Sequence, residues 1–111
     1  MTTNKRLVEG SQLTTSVATY YTAPAKTTTL IKKVTATNTS GGAVALTLYL
    51  VPSSGSAGDA STITDAKAIG AGATYEAYEA ENQVLMPGDS IQALADANTS
   101  LSLMVSGIEI V

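Results

Sequence analysis

Between Val44 and Val51 the chain alternates with period two: Val44, Leu46, Leu48 and Leu50 take one parity, and Ala45, Thr47, Tyr49 and Val51 take the other. Successive side chains of a strand point to opposite faces, so this run predicts a β strand and not an amphipathic helix. Both faces are largely apolar, which suits a central strand or one whose outer face meets a partner. The alternation returns at Leu101, Leu103 and Val105, and again where Ile91, Ala93 and Ala95 oppose Gln92 and Leu94. The turn Met86-Pro87-Gly88-Asp89 precedes that last run. Proline at the first central position and glycine at the second predict a type II turn, with Asp89 placed to bond nearby backbone.

The remaining stretches extend the same pattern. Leu13, Val17 and Tyr21 share a parity with Thr15 and Thr19, which predicts a strand from Gln12 to Tyr21. In Thr27–Thr39 the apolar stripe changes parity across Lys32-Lys33, as a β-bulge would make it do. Asn38-Thr39-Ser40-Gly41-Gly42 is a strong turn signal and predicts a hairpin between its flanking strands. Pro52 to Thr62 reads as an exposed loop, Ile63–Ile69 as a helical turn or an edge strand, and Thr74–Glu79 as a strand. Val84 or Leu85 is expected to plug the core ahead of the Pro87-Gly88 turn. At Gly107 a second parity change hands the apolar face to Ile108 and Ile110, predicting a bulge or sharp twist there. The expected fold is all-β: a two-layer antiparallel β-sandwich, jelly-roll or Greek-key-like, with seven or eight strands. An immunoglobulin-like order is the rival, without its usual Cys…Trp…Cys landmarks. Residues 1–10 are expected as an N-terminal arm, with Leu7–Gly10 a short arm or an edge strand, and 11–111 as a single domain, since 111 residues support one core.

Chemistry is sparse. The chain has no histidine and no cysteine, which removes Ser-His and Cys-His pairs, thiolate zinc sites and disulfides. Only carboxylates could do acid–base work. As a strand, Glu79 and Glu81 would share a face with Glu76 turned away, and no calcium-type Asp spacing accompanies Asp59, Asp65, Asp89 or Asp96. No catalytic residue, metal ligand or cofactor is expected, and the chain reads as no enzyme. A net charge of -3 argues against a nucleic-acid partner. No apolar run approaches membrane-spanning length, and Met1–Arg6 lacks an apolar segment behind it, so synthesis in a cytoplasm is expected. Charged residues make up only 14% of the chain, and threonine, serine and alanine fill their place, as suits close packing against neighbours. Expected contact residues are Leu7 and Val8 in the arm, Lys32 and Lys33 against acidic groups, Tyr49 and Val51 on the outer side of their strand, and Tyr75, Tyr78 and Glu79. A glycan or receptor site around Tyr75, Glu76, Tyr78, Glu79 and Asn82 is the alternative use of that last cluster, weakened by the lack of tryptophan.

The order of these pieces carries a resemblance. Tyr20-Tyr21-Thr22-Ala23-Pro24 leads into Thr28–Val34 and Asn38–Gly42, then Val44–Pro52, Leu85–Ile91 and Ser102–Glu109. In this layout, from about Tyr20 onward, the chain resembles small structural proteins of tailed bacteriophages. The resemblance implies a virion component assembled in a host cytoplasm: a capsid decoration or cement protein, a head–tail joining piece, or a part of a tail or fibre. It implies as partners the major capsid protein or other virion proteins and copies of the chain itself, in a trimer or other ring. Neither a nucleic acid nor a membrane is implied as a direct partner.

Overall fold

The computed structural model describes residues 1–111. Its strands are β1 (Thr2–Gln12), β2 (Ala18–Thr22), β3 (Thr28–Asn38), β4 (Val44–Val51), β5 (Thr62–Ile69), β6 (Thr74–Glu76), β7 (Val84–Leu85), β8 (Ser90–Ala95) and β9 (Leu101–Ile110). A front sheet runs β1-β9-β3-β6, with β7 also paired to β3, and a back sheet runs β2-β8-β4-β5. Every pairing is antiparallel. The chain changes sheet at most of its connections, so the β-sandwich is jelly-roll-like, as the strand pattern predicts. Seven strands have five or more residues; β6 and β7 are short patches along the free side of β3.

The core follows the alternation. Val44, Leu46 and Leu48 of β4 and Ile91, Ala93 and Ala95 of β8 face Ile31, Val34 and Ala36 of β3 and Leu101, Leu103 and Val105 of β9, all buried in one cluster. Burying a Val, Leu or Ile side chain contributes about 1.5–3 kcal/mol, so these rows hold the two layers together. Leu85, not Val84, is the plug. The type II turn is present: the Asp89 amide donates to the Met86 carbonyl at 2.9 Å, and Gly88 sits at φ +88°, where a side chain is strained. Asp89 also accepts from the backbone amides of Met86 at 2.9 Å and Ser53 at 3.0 Å.

Four expectations change. The glycine-rich turn after β3 does not close a hairpin; β3 lies in the front sheet and β4 in the back. The reason is Asn38, which is fully buried. Its amide donates to the carbonyls of Gly42 and Ile69, both at 2.8 Å, and its Oδ1 accepts from the Ser40 amide at 2.9 Å and hydroxyl at 2.7 Å. That set of bonds folds the chain around a corner between layers, and local turn chemistry looks alike in either case. Second, the irregularity near Gly107 belongs to its neighbour. The register shifts between Ile31 and Lys33 of β3, as the lysine pair predicts, while β9 keeps its parity and sends Ile108 and Ile110 outward. Gly107 is required by close approach, because a Cβ there would lie 2.4 Å from the Leu30 carbonyl oxygen. Third, residues 1–10 do not stand apart as an arm: β1 is paired along β9, and a bulge between Arg6 and Val8 turns both Leu7 and Val8 inward. Finally, residues 13–17 form a connection with Leu13 buried and Val17 exposed, and strand structure resumes only at Ala18.

Candidate interaction surface

The register of the front sheet fixes what its outer face carries. Asn4, Ile108, Leu30 and Val84 are cross-strand partners in one row over β1, β9, β3 and β7. Thr2, Ile110 and Thr28 form the row beside it. Val84 is 52% exposed and Ile110 43%, with Leu30 and Ile108 half-buried between them. An isolated sandwich normally carries polar residues on such a face. The next row is cationic, with Arg6, Ser106 and Lys33 as partners and Lys32 as the extra residue of the bulge. Beyond it lie Glu9, Met104, Thr35 and Glu76.

The cations border a shallow depression of about 410 Å³, lined by Asn4, Lys5, Arg6, Lys32, Ser106, Gly107 and Ile108. Lys5 pairs with Glu109 at 3.4 Å and Lys33 with Glu76 at 3.6 Å, whereas Arg6 and Lys32 have no carboxylate within 4.0 Å. The β1 edge is irregular, with register shifts at Arg6/Val8 and Glu9/Ser11, and it carries Lys5 and Arg6. Bulges and charges of this kind discourage indiscriminate strand addition at that edge.

No protein-family model matches the chain, and no curated protein matches it. A chain in the structure of infectious bursal disease virus, Gx strain, aligns with 98% of this chain at 15% identity and a TM-score of 0.45. This chain covers 30% of that chain's length. So distant a likeness adds nothing to the fold, which the strand pairing establishes by itself, and nothing to the role.

The residues expected to make contacts separate into four groups. Lys32 and Lys33 are exposed on the front face, beside the apolar row. Leu7, Val8 and Val51 are 7%, 3% and 2% exposed, so none of them offers surface to a partner in the folded chain. Tyr49 is half-buried on the outer side of the back sheet, opposite Gln92. Tyr78 is exposed, while Tyr75 and Glu79 are bound to each other. The Tyr75 hydroxyl lies 2.6 Å from one Glu79 oxygen, and the Thr64 hydroxyl of the back sheet donates to that same oxygen at 2.5 Å. Lys67 sits 5.3 Å from the centre of the Tyr75 ring. Burial, then the Glu79 hydrogen bond, pushes the Tyr75 hydroxyl up to about 12. Burial also works to raise the Glu79 carboxyl, but the bonds from Thr64 and Tyr75 and the Lys67 charge outweigh it and hold it below the ordinary value. This group ties the layers together, Tyr75 and Glu79 belonging to the front-sheet side and Thr64 to the back sheet.

A matching latch stands at the β1–β2 side, which separations of up to 104 residues hide from sequence reading. The Tyr21 hydroxyl bonds Thr29 at 2.8 Å and Glu109 at 2.6 Å, and Lys5 completes the group. Burial first, then Glu109, pushes Tyr21 up to about 12. The acidic pairing is the reverse of the strand expectation: the 3-10 turn Tyr78–Ala80 takes Glu79 away and brings Glu81 beside Glu76. Desolvation and the hydrogen bond to Glu76 raise the Glu81 carboxyl, with Lys33 opposing. The chief feature missed by sequence reading is the apolar row itself. Its signal was Ile108 and Ile110 on the parity opposite to Leu103 and Val105.

Proposed function

We propose that the chain is a non-enzymatic structural component of a virion, a capsid decoration or cement protein that strengthens the shell by bridging subunits. The observation that carries the contact surface is the outward row Leu30, Ile108 and Val84 with Ile110 beside it, on a face of the front sheet that nothing in the chain covers. Burial of that face against a shell protein would return about 25 cal/mol per Å² of apolar area. A stable joint needs roughly 800 Å² per partner, so the neighbouring rows would also take part. The phage-like order of segments in the sequence supports the virion setting, and copies of the chain are the second natural partner. The cores of both sheets are independent of the row, so contact can be removed without unfolding the sandwich.

Mass spectrometry and cryo-electron microscopy of purified particles test the reading. The expected result is stoichiometric chain on the shell, front sheet inward, with L30T/I108T folded but absent from particles. Absence of the wild-type chain from particles, or full incorporation of L30T/I108T, overturns it.

A further inference from the structure

The charge on this chain is unevenly placed. Four of its six Lys and Arg residues, namely Lys5, Arg6, Lys32 and Lys33, fall on two adjoining stretches that meet across β9. Glu109 and Glu76 answer two of them, and Arg6 and Lys32 are left without an acid. Both line the depression at the β3 bulge, whose lining contains no acidic residue. Beside them, the Asn4 amide and the Ser106 hydroxyl can donate alongside the guanidinium and the ammonium. Ile108 lines the same depression and belongs to the apolar row.

We infer that this depression receives a carboxylate side chain from an acidic, apolar-flanked segment of a neighbouring protein, with Arg6 and Lys32 as the residues that select it. The inference rests on the front sheet being the docking face, and it names the chemistry of the partner. A carboxylate matches the fork of Arg6, which presents two parallel N–H groups, and Lys32 adds a mobile charge from the bulge. The residue next to that carboxylate would lie over Ile108 and Leu30, where an apolar side chain is required. A nucleic-acid backbone fits less well, because the chain has a net charge of -3 and the lining offers no aromatic ring for a base. The cationic pair also repels a misplaced basic partner, so it sets orientation on an otherwise permissive apolar surface.

The test is an NMR titration of the full, isotope-labelled chain with a short N-acetylated, C-amidated Leu-Glu peptide, the same blocked peptide with Gln for Glu, and an oligo-dT. The Leu-Glu peptide alone is expected to shift the amides of Arg6, Lys32, Ser106 and Ile108, and to weaken as salt rises. R6Q/K32Q should retain the wild-type fold and bind that peptide at least about tenfold more weakly. Equal response to the Gln peptide, response to oligo-dT instead, or no shift up to about 10 mM peptide overturns the inference. So does a concentration-dependent shift of the same amides without peptide, which would make a second copy the occupant. If the peptide binds as expected but particles lack the chain, the virion reading fails alone; if particles carry R6Q/K32Q unchanged and no peptide shift is seen, the acidic-partner inference fails alone.

Discussion

N38D replaces one NH2 group by an oxygen and removes two hydrogen bonds at once. The Asn38 amide donates to the Gly42 and Ile69 carbonyls, and its Oδ1 accepts twice from Ser40, all within a fully buried corner. In N38D the Ser40 bonds survive, but a carboxylate oxygen faces two carbonyl oxygens. Two lost bonds at about 1 kcal/mol each, with a buried acceptor left unpaired at about 1–3 kcal/mol, give a destabilisation of about 3–5 kcal/mol near neutral pH. That is a large part of the stability of a domain this size, usually about 5–15 kcal/mol. The protonated acid can still donate once, so the folded state favours the proton and holds the introduced carboxyl above its unfolded value of about 3.9. The native state then binds more protons than the unfolded state, and stability falls as pH rises from the unfolded value through the folded one. Each unit of elevation contributes about 1.4 kcal/mol. Urea unfolding followed by circular dichroism at about pH 4.5 and pH 7.5 measures this through the midpoint at constant m. Relative to wild type, N38D should lose about 2 kcal/mol more at the higher pH, while N38A keeps one constant offset. An N38D chain within about 0.5 kcal/mol of wild type at the higher pH, or a pH-independent gap between N38D and N38A, would refute the corner as the source of the layer change.

Two further outcomes follow from packing and from the tyrosine latches. G107A, whose Cβ would lie 2.4 Å from the Leu30 carbonyl oxygen and 2.8 Å from Leu7 Cδ1, should cost about 1–3 kcal/mol in urea unfolding, whereas an exposed-glycine change at Gly41 should cost little. Tyr21 is raised to about 12, so the stabilisation from its protonated hydroxyl is present below about pH 10 and is lost as pH rises towards 12. Y21F should be less stable than wild type at neutral pH by about 1 kcal/mol and should lose less on alkaline titration, read by circular dichroism with tyrosinate absorbance.

Legibility tracked how local the signal was. The faces of β4, β8 and the first half of β9 were readable because alternation and burial coincide at Leu46, Leu48, Ile91, Leu103 and Val105. The Pro87-Gly88 turn and the Lys32-Lys33 bulge were readable for the same reason, each being specified within a few residues. The path after β3 was not, since the Asn38 corner includes a bond to Ile69, 31 residues on, and β4 finds its sheet through β5 and β8, which local turn chemistry does not show. Leu7 and Val8 looked like a free arm because a bulge lets two adjacent apolar residues face inward and so erases the alternation. Hydrophobicity alone places Ile108 and Ile110 in the core, although their parity puts them outside. Of the proposed surface, the sequence marks Lys32 and Lys33 as candidate contacts, while hydrophobicity alone reads the apolar row beside them as interior.

The hydrogen-bonded neighbour of β1 is β9, with Thr2 opposite Ile110 and Gln12 opposite Ser102. During synthesis, then, β1 must wait for β9 before Leu7 and Val8 can leave water. β3 waits too, because β9 is inserted between it and β1. Closing such a distant pair is slow, and the waiting chain is open to wrong partners meanwhile. A product cut before Leu101 would therefore leave β1 and one side of β3 without their strand partner, and the front sheet is complete only on chains translated through Ile110.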